Sequence, residues 1–109
     1  MKKIIIDETV SYDCGLMSAA ILYWLKGEYD KNKINNINFL DNNYWVDISI
    51  RKLSNVYRFL SPSKVVTSLN KLLENDYIIK HNTTNSDNGN SANWYTITNK
   101  GLSILNDNE

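Results

Sequence analysis

Apolar residues recur at helical spacing through Val65, Val66, Leu69, Leu72 and Leu73. At about 100° per residue they fall within an arc of roughly 120°, with Ser63, Lys64, Thr67, Lys71 and Glu74 on the opposite side. Ser61 stands where an N-cap is needed, and Pro62 takes the first helical position, where its missing N–H costs nothing. Asn75 and Asp76 end the helix. The period then changes from 3.6 to 2: Tyr77 to His81 predicts a strand, Trp94 to Thr98 predicts a second, and the polar run between them, with Gly89 and no apolar residue except Ala92, predicts a hairpin tip.

Upstream, Ile50, Leu53, Tyr57 and Leu60 recur at spacings of three and four behind Ser49, which predicts a second amphipathic helix capped by that serine, with Arg51, Lys52, Asn55 and Arg58 on its other sides. Tyr44 to Ile48 has strand composition. Residues 27–43 are rich in Asn, Lys and Asp and predict a loop with scattered apolar anchors. Before it, Leu16 to Leu25 is apolar in nearly every direction around a helix axis, with Ser11 or Asp13 as its cap. Such a helix must be covered on more than one side, either as a central core helix or partly in a dimer interface. Lys3 to Ile6 predicts a short strand, and Thr98 caps a last helix over residues 100–105.

The 109 residues fit one domain, and 42% hydrophobic content is enough to build a packed core. The net charge is zero, so the whole chain gives no support to a polyanionic partner. The distribution changes that picture. Residues 51–81 hold six Lys/Arg against two acids, whereas residues 1–50 hold five Lys against seven acids, so positive charge gathers around the two central helices.

Candidate chemistry is sparse. Cys14 is alone and His81 is the one histidine, which leaves no disulfide and no zinc set. Pairing Cys14 as nucleophile with His81 as base would need an activated thiol, and Cys14 adjoins a helix built to be buried. The four glycines are isolated, so no phosphate-cradling loop exists. Neither enzyme activity nor a cofactor is expected. Asp7 and Glu8 interrupt the apolar run that starts at Ile4, and no stretch approaches the roughly 20 apolar residues that span a bilayer. A cytoplasmic protein with no membrane partner is expected.

The succession of strand, apolar helix ending Tyr23-Trp24-Leu25, long loop, aromatic strand 44–48, helix, Leu60-Ser61-Pro62-Ser63 turn, helix through Leu69, Leu72 and Leu73, and the paired strands Tyr77-Ile78-Ile79 and Trp94-Tyr95-Thr96-Ile97 resembles the winged helix-turn-helix superfamily. Within it the likeness is to DNA-binding domains of phage and plasmid replication or transfer proteins of low-GC bacteria. That resemblance implies one α+β domain, with a recognition helix at 62–75 and a wing at 77–98. It further implies sequence-specific binding of double-stranded DNA, as a homodimer, in replication, conjugative transfer or transcription control. On this reading Ser61, Ser63, Lys64, Thr67, Ser68 and Lys71 face the groove, Arg51, Lys52 and Lys80 meet phosphates, and His81 and Asn82 contact the DNA from the wing. The superfamily also contains protein-binding modules, so the alternative is a mobile-element protein that binds and inhibits a host protein such as a defence nuclease.

Overall fold

The computed structural model describes residues 7–58, 60–81 and 93–107. The chain is α+β. Its elements run α1 (Glu8–Cys14), α2 (Leu16–Asn35), β1 (Phe39–Leu40), β2 (Asn43–Tyr44), β3 (Val46–Ile48), α3 (Ile50–Val56), α4 (Pro62–Glu74), β4 (Ile78–Lys80), β5 (Asn93–Ile97) and α5 (Asn99–Asp107). β1 and β2 form a two-stranded sheet. β3, β5 and β4 form a second, antiparallel throughout, with β5 in the middle. Val46 lies opposite Tyr95, and Ile78 opposite Ile97.

The first helical region departs from the sequence expectation in two ways. Neither Ser11 nor Asp13 caps the apolar helix: both lie inside a separate short helix, started by Asp7, whose Oδ1 accepts from the Val10 N–H at 3.0 Å, and α2 begins after Gly15 with no side-chain cap. Gly15, at φ 92°, then breaks the chain before α2 begins; an L side chain would be strained there. The second departure is length. Helix continues past Gly27 to Asn35, through what composition reads as loop. Tertiary contacts outweigh the propensity cost of the glycine. Tyr29 is buried with its ring edge-on to Tyr44, Asn32 Nδ2 donates to the Trp45 carbonyl at 2.8 Å, and Lys26 pairs with Asp30 one turn on. Asn36 closes the helix in the left-handed region, and Asp41 and Asn42, both at positive φ, make the tight turn between β1 and β2. Residues 27–43 are thus half helix and half hairpin.

The later elements follow the sequence more closely, except that α3 stops at Val56, so Tyr57 and Leu60, expected on its apolar face, are buried from the turn that follows it. Ser49 Oγ accepts from the Lys52 N–H and caps α3; Ser61 Oγ does the same for Lys64 N–H in α4, with Pro62 in the first turn. Thr98 Oγ1 accepts from the Gly101 N–H at 3.1 Å, the cap expected of it. Gly101 is required for packing. A Cβ there would stand 2.7 Å from the Tyr77 carbonyl oxygen, so α5 closes directly onto the backbone leading into β4. The expected strand at residues 3–6, the hairpin tip at residues 82–92 and the chain end at 108–109 lie outside the described residues.

One core joins these parts. Ile21, Leu22 and Leu25 of α2, Leu53 of α3, Val65, Leu69 and Leu72 of α4, and Ile48, Ile78 and Ile97 of the sheet are all buried together. Polar ties fix α4 against α1 and α2: Ser18 Oγ donates to the Ser68 carbonyl at 3.0 Å, and Cys14 Sγ donates to the Lys71 carbonyl. Tyr57 Oη donates to the Ala20 carbonyl and ties the turn after α3 to the same helix.

Candidate nucleic-acid interface

α4 stays a helix because its cap, its proline and its apolar stripe agree, but the stripe is turned from the position that residue type alone suggests. Its buried residues are Val65, Ser68, Leu69 and Leu72. Val66 is 39% exposed, and Leu73 is only partly buried. The inward direction is therefore rotated by roughly 50° relative to the valine–leucine arc, at about 100° per residue. The cause lies in α2. Ser18 is small and buried, and its Oγ donates to the Ser68 carbonyl, so α4 approaches α2 closely where its own small residue, Ser68, stands. A bulkier side chain than Ser68 would hold the helices apart.

This rotation redistributes the expected contact residues. Ser68 is 5% exposed and faces α2, so the expectation that it enters a groove is not met. Ser63, Lys64, Thr67 and Lys71 are exposed as expected, and Asn70, which the sequence pattern does not single out, joins them. Their chemistry differs. Thr67 Oγ1 already donates to the Ser63 carbonyl at 3.0 Å, and Ser63 Oγ shares a hydrogen bond with Ser61 Oγ at 3.3 Å. The Asn70 carboxamide makes no hydrogen bond with the described residues.

Two clefts flank α4. On one side, about 580 Å³ opens between α4, the start of α3 and the sheet; Val66 and Asn70 line it from α4, Arg51 from α3, and Lys80 and Asn93 from the strands. The structure thus brings Arg51 and Lys80, far apart in sequence, to one place beside the exposed face of α4. On the other side, about 360 Å³ opens between α4 and the α1–α2 junction, lined by Lys64, Thr67 and Lys71 opposite Leu16 and Met17. Leu16 is 65% exposed.

The remaining expected residues are placed elsewhere. Lys52 lies on another side of α3, its Nζ 5.9 Å from the centroid of the Trp24 ring. His81 is held in a structural cluster: its ring meets Trp45 edge-on at 4.8 Å and Trp94 at 6.3 Å, and its Nε2 is 3.3 Å from Asp41 Oδ2 on the β1–β2 turn. Asn82 lies outside the described residues. Cys14 is buried between α1 and α4, and desolvation, with Asp13 beside it, pushes its thiol up from the ordinary value, so it is held as the protonated form. Among the described residues no group of three His, Cys, Asp or Glu side chains gathers to hold a metal, and no helix is long and apolar enough to cross a membrane.

No protein-family model, curated protein or solved structure significantly matches this chain.

Proposed function

We propose that this chain is a winged helix-turn-helix protein that binds double-stranded DNA, with α3 and α4 as the helix-turn-helix and the β4–β5 pair as the base of the wing. The observation that carries the reading is the meeting of Arg51 and Lys80 in one cleft beside the exposed, short-side-chained face of α4. Cations beside a helix are what a duplex requires, because phosphates flank the major groove into which the helix must enter. The sheet order β3-β5-β4, with a strand before α3 and two after α4, supports the same reading. Glu74 stands exposed at the far end of α4, so the contact runs over the first two-thirds of the helix, away from that acid. The role served is replication, transfer or transcription control of a mobile element, exercised by positioning and not by chemistry.

The test is a fluorescence-anisotropy titration with a labelled random-sequence duplex at about 50 and 200 mM salt. Binding that weakens steeply with salt is expected. No association tighter than about 10⁻⁴ M at the lower salt, the weak end of non-specific binding, contradicts the proposal.

A second reading is favoured by one surface. Ile34, Ile37, Phe39 and Leu40 are exposed at the end of α2 and along β1, and Ile34 is 83% exposed. Exposed apolar side chains so close in sequence suit a protein partner, as an inhibitor of a host protein would need. Failure of the titration promotes that reading.

A further inference from the structure

Asn70 and Val66 are successive along one side of α4. They are one turn apart, about 40° apart around the axis and about 6 Å apart along it. Both are exposed and both line the cleft that holds Arg51 and Lys80. The exposure of Val66 contradicts the simple hydrophobic pattern, which places it inward. It follows from the close approach of Ser68 to α2.

The exposed side chains of α4 are unequal as readers of a base edge. Thr67 and Ser63 are occupied along their own helix, through Thr67 Oγ1 to the Ser63 carbonyl and Ser63 Oγ to Ser61 Oγ. Lys64 and Lys71 carry donors alone and line the opposite cleft. Asn70 has a donor and an acceptor side by side, with no hydrogen bond to the described residues. A carboxamide matches the adenine edge in the major groove, donating to N7 and accepting from the N6 amino group. Valine has no hydrogen-bonding atom and fits the one apolar feature of that groove, the thymine C5-methyl. A spacing of about 6 Å corresponds to roughly two base steps of 3.4 Å.

We propose that Asn70 and Val66 are the specificity-determining pair of α4, with Asn70 pairing with an adenine and Val66 packing on a thymine methyl one or two base pairs away. The inference rests on the duplex-DNA reading given above. On it, Arg51 and Lys80 hold the backbone on the cleft side and thereby bring that flank of α4, and not the Lys64–Lys71 flank, down onto the base edges.

The experiment is selection from a randomised duplex library by the wild-type chain and by N70A and V66A variants, followed by sequencing of the bound pools and anisotropy on the enriched duplex and on a random one. Circular dichroism checks that both variants fold, and both sites are exposed. The wild type is expected to enrich a site with an invariant adenine. N70A is expected to lose that preference and bind the enriched duplex roughly ten- to a hundredfold more weakly, with random-duplex affinity unchanged. V66A is expected to relax a thymine one or two pairs away and leave the adenine intact. If wild type and N70A enrich the same site with equal affinity, the assignment is overturned while the DNA reading stands. A wild type that binds random duplex with no enrichment overturns the assignment in the same way. If no duplex is bound at all, both fall together.

Discussion

The two flanks of α4 are built from the same helix and the same thirteen residues, yet they meet different neighbours. One flank, with Val66 and Asn70, opens onto α3 and the sheet, where Arg51 and Lys80 converge. The other, with Lys64 and Lys71, opens onto the α1–α2 junction, where the exposed Leu16 makes the facing wall apolar. By charge on the helix alone, the second flank is the more basic. Once the fold supplies its neighbours, the first has cations from two other elements. The charge around a helix thus depends on what the helix is packed beside as well as on its own residues: each flank holds two cations, but only one flank draws them from other elements.

The contrast between the flanks depends first on which side of α4 points inward. Replacing Leu72, fully buried, with Asp places an unpaired charge in the core and should cost several kcal/mol, enough to unfold a domain of this size. Val66→Asp should leave the fold intact and shift stability by less than about 1 kcal/mol, as surface changes do. Thermal melts by circular dichroism distinguish the two, and equal destabilisation would show the helix to be turned the other way. Next in size is Ser68→Leu, which forces extra volume into the buried contact between α4 and α2 at Ser18 and should cost about 1 to 3 kcal/mol. An unchanged melting temperature there would remove the explanation given for the rotation.

A smaller effect concerns pH. Burial pushes up the phenol groups of Tyr57, Tyr77 and Tyr95, and Tyr77 is raised further because its hydroxyl donates to Asp13. A phenol whose folded value lies above its unfolded one stabilises the protein fully below the unfolded value, near pH 10, and that contribution is lost as pH rises through the folded value. The melting temperature should therefore fall once pH climbs above about 10. Tyr77→Phe should cost about 1 kcal/mol at neutral pH and make the alkaline fall shallower. A variant that matches wild type across the whole alkaline limb would disprove the link.

How far the sequence could be read depended on whether the deciding contact was local. Caps are local: Ser49, Ser61 and Thr98 each accept from an N–H three residues on, and all three can be found from sequence alone. The continuation of α2 beyond Gly27 depends on Asn32 reaching Trp45 and Tyr29 meeting Tyr44, contacts across the fold that no local pattern contains. The inward face of α4 was legible in part. Val65, Leu69 and Leu72 identified it, but Ser68 is inward and Val66 outward, because α4 meets α2 at Ser68, where Ser18 Oγ donates to its carbonyl. For the same reason Asn70 stood out in no sequence pattern and Ser68 was expected at the surface. The meeting of Arg51 and Lys80 in one cleft depends on how α3, α4 and the sheet pack together, which residue spacing does not reveal.

The smallest expected effects separate the two flanks directly. If Arg51 and Lys80 meet phosphates, R51A and K80A should each reduce the salt slope of duplex binding by roughly one and weaken all sequences alike. K71A, on the other flank, should change the slope much less. Anisotropy at several salt concentrations measures this, and a larger effect from K71A than from R51A would reverse the assignment of the flanks.

Whether the cleft between α3, α4 and the sheet is the surface that meets DNA can be read residue by residue in an ¹H–¹⁵N correlation titration of the labelled chain with a short duplex. Chemical-shift changes should concentrate at Arg51, Val66, Asn70, Lys80 and Asn93, with little change at Ile34 to Leu40. Changes centred on Ile34 to Leu40 or on the α1–α2 junction, or none at saturating duplex, would contradict that assignment.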